Sequence, residues 1–126
     1  MGEIVLFIGL SLSTCTITAY QSVKNQTDTS PNFTSIGERT HHGGVAISRN
    51  LLKQWGGPCD YGDYVYIEHL GIYKINDCMG GTQYDKKRHE RIPINNHFDI
   101  WVSSLNEERS IKTQMQNVYL IKKEIK

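Results

Sequence analysis

The sequence predicts a single, mainly β domain. The chain has 126 residues, which is enough for one compact core and too few for two full domains. Eleven glycines and seven tyrosines with only three prolines are typical of short strands joined by turns. The same composition argues against a collagen-like or a disordered chain. In chain order, the patterns predict six short strands and two small helices, which fit a small closed barrel.

The near-neutral charge excludes some classes of partner. Fourteen Lys and Arg residues against thirteen Asp and Glu residues leave a formal charge of +1. The basic surface of a nucleic-acid-binding protein is therefore absent, and we expect no nucleic acid partner. The five histidines are scattered in predicted loops without a ligand spacing such as HExxH, so we expect no metal and no cofactor.

The three cysteines leave the redox state open. Cys15, Cys59 and Cys78 lack a CxxC spacing, which argues against a structural zinc site. Cys59 and Cys78 each lie beside a glycine-containing turn, so an exported chain could join them in one disulfide. Free buried thiols are the alternative.

The amino terminus contains a nearly unbroken apolar run from Ile4 to Leu12. This run is too short to span a bilayer but long enough for the core of a signal peptide. Glu3 precedes it and no Lys or Arg does, which departs from the usual signal sequence. Residues 1–13 are therefore either a signal peptide or short anchor of an exported protein, or an ordinary buried strand. We expect the folded domain to span residues 14–123.

The first half of the domain contains two predicted strands and a long polar segment. Residues 14–20 alternate threonine with apolar residues, which predicts a strand with one buried face. Residues 21–39 are rich in Asn, Thr, Ser and Asp, and they predict a surface loop of the length that often serves function. Residues 45–47 predict a short strand.

A short helix is predicted over residues 48–55. Ser48 is a suitable N-cap, and the glycines that follow Trp55 would end the helix. Leu51, Leu52 and Trp55 would lie on one face of it.

The second half of the domain contains a hairpin, a helix and two further strands. Aromatic and β-branched residues at 64–68 and 72–76 flank a three-residue turn, which predicts an antiparallel hairpin. Ser104 and Glu107 have the spacing of a capping box that opens a short helix. The other two predicted strands cover residues 98–102 and 117–122.

The order of several motifs resembles that of a known family. The motifs are ITAY at 17–20, TSIG at 34–37, VAIS at 45–48, YGDYVYIE at 61–68, INDCMGG at 75–81, FDIWV at 98–102 and VYLIK at 118–122. Together they resemble the 3D domain, named for three aspartates, which is a double-psi β-barrel. The family includes lytic transglycosylases of the murein transglycosylase A type and small bacterial and phage members, and rare lipoprotein A proteins share the barrel. The resemblance therefore implies a six-stranded double-psi β-barrel.

The resemblance also implies a set of site residues. Two family aspartates correspond to Asp77 and Asp99, and the position of the third is taken by Ser48. Asp99 would be the catalytic residue and Asp77 its partner. The implied substrate-binding residues are Thr34, Ser48, Gly80, Gly81 and Trp101.

One aspartate suffices for the implied reaction. In a lytic transglycosylase the muramyl C6 hydroxyl attacks its own anomeric carbon, and one carboxyl can act first as acid and then as base. Asp99 lies between Phe98 and Ile100, where loss of hydration would raise its pKa toward a useful value. Asp77 could instead be a local acceptor in a turn, and Asp99 could face solvent.

Three functions follow as expectations. The first is a lytic transglycosylase that cleaves the glycan strands of peptidoglycan in the periplasm or cell envelope. The second is a noncatalytic glycan-binding barrel, in which Trp55 and Trp101 could stack on sugars instead of packing in the core. The third is a structural or host-interaction module of a phage virion. A membrane would be contacted only through the amino-terminal anchor.

Overall fold

The fold is a closed, mainly β barrel, as the sequence predicts. The computed structural model describes residues 2–22 and 33–125, and within them it contains eight strands, one α-helix and two 3-10 turns. Six strands close the barrel in the order β1-β7-β2-β4-β3-β8, and β5 and β6 form a separate hairpin. The strands are β1 (Ile4–Tyr20), β2 (Gly44–Ile47), β3 (Tyr64–Ile67), β4 (Gly71–Cys78), β5 (Thr82–Asp85), β6 (Glu90–Pro93), β7 (His97–Trp101) and β8 (Gln114–Ile125).

The barrel mixes parallel and antiparallel pairs. β1 pairs with β7 and β2 with β4 in parallel, and the other four neighbouring pairs are antiparallel. Parallel neighbours cannot be joined by a tight hairpin, and in both pairs other strands intervene in the sequence. This arrangement is compatible with a double-psi barrel.

The core fills the barrel with alternating residues of the strands. Ile17 on β1, Val45 and Ile47 on β2, and Phe98 and Ile100 on β7 are all buried in one apolar cluster. Since successive side chains of a strand point to opposite faces, the residues between them lie on the outer face of the barrel. That outer face carries the candidate site.

β1 begins earlier than the predicted strand. It starts at Ile4 rather than at residue 14, and its first half pairs with β8. Ile4, Leu6 and Ile8 are each more than half exposed, and Leu12 is the first side chain of the run to enter the core. That residues 1–13 are a signal peptide or anchor stays a prediction.

The predicted helix over residues 48–55 is wrong. Two 3-10 turns, Arg49–Leu51 and Lys53–Trp55, replace it, because Leu52 is extended and forms a parallel bridge with Cys59. Leu51 and Leu52 are buried as expected, but Trp55 is 46% exposed.

Ser48 does not cap this segment. Its side chain accepts no hydrogen bond from the turn that follows. Its hydroxyl instead accepts from the amide of His97 at 3.0 Å and donates to Asn50 Oδ1 at 2.8 Å. The hydroxyl is thus used to join the end of β2 to β7.

Residues 23–32 of the loop predicted over 21–39 lie outside the residues that the structure describes. The remaining predicted strands, the hairpin and the capping box are confirmed. β3 and β4 form the expected hairpin. The helix α1 (Leu105–Ile111) begins after the N-cap Ser104, whose hydroxyl accepts from the amide of Glu107 at 3.2 Å.

The cysteines are free thiols, so the disulfide between Cys59 and Cys78 is absent. None of the helices in the described ranges has the length and hydropathy needed to cross a membrane.

Candidate functional site

A row of four residues crosses four adjacent strands on the outer face of the barrel. In the strand register, Thr18 of β1 lies opposite Asp99 of β7, and Asp99 lies opposite Ala46 of β2. Ala46 in turn lies opposite Asp77 of β4. The two aspartates are thus separated by one strand that presents only a methyl group.

A β-bulge brings Asp77 into this row. Val45 pairs with Ile75, but the next residue of β2, Ala46, pairs with Asp77 and not with Asn76. An extra residue in one strand redirects the side chains that follow it. The bulge therefore places a carboxylate where regular pairing would have placed an amide.

Next to this row lies a cavity of about 510 Å³, and both aspartates line it. Its wall includes Tyr20, Ala46 and Cys78 from the barrel. Phe33 and Ser35, at the end of the long loop predicted over residues 21–39, close another side. The cavity therefore combines two carboxyl groups with aromatic and small side chains.

Asp99 lies in an environment that raises its pKa. Burial is the main cause that raises its pKa, from 3.8 to about 6, and the nearby charges of Glu108 and Asp77 add to the rise. A hydrogen bond from Thr18 Oγ1 to Asp99 Oδ1, at 2.8 Å, acts in the opposite direction. Near neutral pH the side chain can therefore exchange a proton at little cost.

Thr18 also connects Asp99 to a histidine. Thr18 Oγ1 lies 2.7 Å from His97 Nε2, and His97 is only 9% exposed. When Asp99 is ionised it can only accept, so the single hydroxyl proton of Thr18 is directed to it. Nε2 of His97 must then donate to Thr18. Burial lowers the pKa of His97, which favours the neutral ring with its proton on Nε2.

Asp77 is held by several donors. Its Oδ1 accepts from the amide and hydroxyl of Ser35, at 2.9 and 2.8 Å, and from the amide of Cys78 at 2.9 Å. Its Oδ2 accepts from the hydroxyl of Tyr20 at 3.2 Å. Burial and the negative charge of Asp77 both raise the pKa of Tyr20, so the phenol stays protonated and donates. Asp77 thus holds Ser35 against the barrel. The local bond from the Cys78 amide, expected of an acceptor in a turn, is only one of the hydrogen bonds that it accepts.

The predicted substrate-binding residues lie in different places. Gly80 lines the cavity, and Gly81 lies next to it beneath Arg49. Thr34 is buried, and its hydroxyl has no partner within the part of the chain that the structure describes. Ser48 is fully buried away from solvent, and Trp101 donates from its indole nitrogen to Ser22 Oγ at 2.8 Å. Of these residues, Gly80 is placed where it could touch a ligand in the cavity with the two aspartates.

Sequence reasoning missed the residues that support the aspartates. They are Thr18, Tyr20, Ser35 and His97. Thr18 and Tyr20 belong to the first strand, whose alternating pattern predicts that they share one face. The pattern does not predict which residues they contact. The contacts depend on strand register across the barrel, which local sequence patterns do not define.

Comparison with known proteins adds no relative. No protein-family model matches the chain, and no curated protein matches its sequence. Over residues 2–22 and 33–125, no three His, Cys, Asp or Glu side chains are grouped so that they could hold a metal ion.

Proposed function

We propose that the chain is a divergent 3D-type double-psi barrel that cleaves the glycan strands of peptidoglycan as a lytic transglycosylase. The closed six-stranded barrel with little helix supports this assignment. The shared cavity of Asp77 and Asp99 also supports it, because both residues match family aspartates in sequence order. Such a substrate implies export to the periplasm or cell envelope.

The observation that carries the proposal is the state of Asp99. Its pKa of about 6 provides a protonated fraction near neutral pH. Only Oδ1 has a hydrogen-bond partner among the described residues, which leaves Oδ2 available to a ligand in the cavity. A carboxyl group with one oxygen anchored and one oxygen available has the arrangement needed for a general acid.

The reaction uses this carboxyl twice. Asp99 donates its proton to the glycosidic oxygen as the bond to the muramyl anomeric carbon breaks, and the departing sugar leaves as an alcohol. The muramyl C6 hydroxyl attacks the same carbon, and Asp99, now ionised, accepts the hydroxyl proton. The products are a free sugar end and a 1,6-anhydro end. The proton count on the enzyme is unchanged.

Asp77 has a supporting role in this scheme. Its Oδ1 already accepts three hydrogen bonds and its Oδ2 one, so it is poorly placed to act as a second base. Hydrolases need a second carboxylate to activate water or to attack, whereas the intramolecular attack does not. The negative charge of Asp77 contributes to the raised pKa of Asp99.

The test is digestion of purified peptidoglycan sacculi followed by mass spectrometry of the released fragments. We expect muropeptides with anhydro ends from the unaltered protein and none from Asp99→Asn, which keeps the shape but lacks the transferable proton. Asp77→Asn should lose activity only in part. Glu90→Gln, a change on the exposed β6, is the matched control and should retain full activity. Full activity of Asp99→Asn, or products with reducing ends only, would show that the mechanism is wrong.

A noncatalytic glycan-binding barrel is the second candidate. The occupied Asp77 carboxylate and the buried Ser48 favour it, since the family's other two aspartate positions then supply no free acid. Co-sedimentation with sacculi without release of any fragment would select this function.

A further inference from the structure

Arg49 lies at the cavity and contacts the ring of Trp55. Its guanidinium carbon is 5.1 Å from the centre of the Trp55 ring, the distance of a cation–π contact. A β-carbon added at Gly81 would lie 3.1 Å from one of the Arg49 terminal nitrogens. The guanidinium therefore contacts the indole and lies close to Gly81, while Arg49 as a whole is exposed to solvent. It lines the same cavity as Asp77 and Asp99.

Among the residues that the structure describes, no carboxylate forms an ion pair with Arg49. The ion pairs found among the described residues join other side chains: Glu38 with His41 and Lys74, Glu107 with His42, Glu68 with His69, and Asp85 with Arg88. The contributions to the pKa of Asp99 come from burial, Thr18, Glu108 and Asp77, and none comes from Arg49. Arg49 and Asp99 nevertheless line one cavity.

We propose that Arg49 forms an anion subsite that binds a carboxylate of the substrate polymer. A guanidinium presents a planar pair of donors that matches a carboxylate, and the contact with the Trp55 ring helps to orient it toward the cavity. This subsite gives the glycosyl-cleaving site of the proposed function a preference for an acidic glycan over a neutral one. Glycine suits position 81, because a side chain there would press on the guanidinium.

The carboxylate could come from two parts of peptidoglycan. One source is the lactyl group of muramic acid from which the peptide has been removed, and the other is a free carboxylate of the stem peptide. Both offer the same chemistry to Arg49. Two ligands distinguish them. A peptide-free glycan carries the lactyl carboxylate, and a muropeptide whose lactyl group is amide-linked carries only the stem-peptide carboxylate.

The experiment measures binding in an Asp99→Asn background, so that the glycan is not cleaved during the measurement. The ligands are the two acidic probes above and a neutral N-acetylglucosamine oligomer of similar length. Isothermal titration compares Arg49 with Arg49→Gln, and Lys87→Gln serves as the control for loss of one positive charge on the connection between β5 and β6. Thermal unfolding of each variant verifies that it is folded, and Arg49→Lys replaces Arg49→Gln if the latter is not.

We expect Arg49→Gln to weaken binding of at least one acidic ligand by roughly ten- to a hundredfold, the range for a charged hydrogen bond. Binding of the neutral oligomer and all binding by Lys87→Gln should be unchanged. Arg49→Lys, which keeps the charge without the planar fork, should bind the acidic ligand with intermediate affinity.

Two results would overturn the subsite. One is that the Arg49 protein binds the acidic ligands no more tightly than the neutral oligomer. The other is that Arg49→Gln weakens acidic and neutral ligands equally. A clear preference for the acidic ligand without any cleavage by the unaltered protein would uphold the subsite and refute the proposed transglycosylase activity.

Discussion

Replacing Asp99 with asparagine is expected to make the protein more stable at neutral pH. The ionised carboxylate is disfavoured in the folded protein by burial and by the charges of Glu108 and Asp77. Asparagine removes the charge and keeps an oxygen that can accept the hydrogen bond from Thr18. The variant should therefore lose activity and gain stability, as expected where a site holds a group in an unfavourable ionisation state.

The magnitude follows from the shift in the pKa of Asp99. A rise from 3.8 to about 6 corresponds to about 3 kcal/mol of folding free energy, which the protein loses as the pH rises through that interval. Ionisation of Asp99 destabilises the folded protein, because the folded state binds more protons than the unfolded state between these two pH values. Below pH 3.8 both states are protonated and the loss vanishes, and above about pH 6 it is complete.

Urea denaturation at a series of pH values measures this effect. The free energy of unfolding of Asp99→Asn minus that of the unaltered protein should be near zero at pH 3 and should reach its plateau by pH 7. A plateau of this size would move the urea midpoint by on the order of 1–2 M. Glu90→Gln should show no such dependence on pH. An Asp99→Asn variant that is less stable at pH 7, or equally stabilised at pH 3 and pH 7, would refute the assigned environment.

Two further changes test the surroundings of the site and the barrel. Thr18→Val removes the hydrogen bond that lowers the pKa of Asp99, so that pKa should rise above its present value in a carbon-13 carboxyl titration, whereas Thr18→Ser should preserve it. Gly57→Ala places a β-carbon 2.2 Å from the Leu51 carbonyl carbon and should destabilise the fold by roughly 3 kcal/mol in urea denaturation. Gly80→Ala, whose nearest neighbour lies at 3.9 Å, should be nearly neutral in the same assay.

The strands of the barrel could be predicted from local patterns because apolar and β-branched residues recur along them, as in the alternating burial of β3. The hairpin of β3 and β4 and the capping box of α1 are encoded within a few neighbouring residues. The helix expected at 48–55 failed for a non-local reason, since Leu52 pairs with Cys59 across a turn. The hairpin of β5 and β6 was missed because both strands are mostly exposed, so neither shows an apolar alternation.

The candidate site could be predicted only in part. Asp99 stands out in the sequence as a carboxyl group within an apolar strand, and Asp77 precedes a glycine-containing segment. That they share a cavity depends on the order of β7, β2 and β4 and on the bulge beside Ala46. Register between strands distant in sequence is set by packing of the whole core, which no local pattern contains.

The different roles of the two aspartates follow from the number of hydrogen bonds that each accepts. Asp77 accepts four, which fix both of its oxygens and tie Ser35 to the barrel, so it is suited to hold the site in shape. Asp99 accepts one from the described part of the chain, and burial leaves its charged form poorly stabilised. Ala46 between them adds only a methyl group, so the space above it stays open to a ligand. Three residues in one row therefore provide a carboxyl group with a raised pKa, a carboxylate held by several donors, and open space between the two.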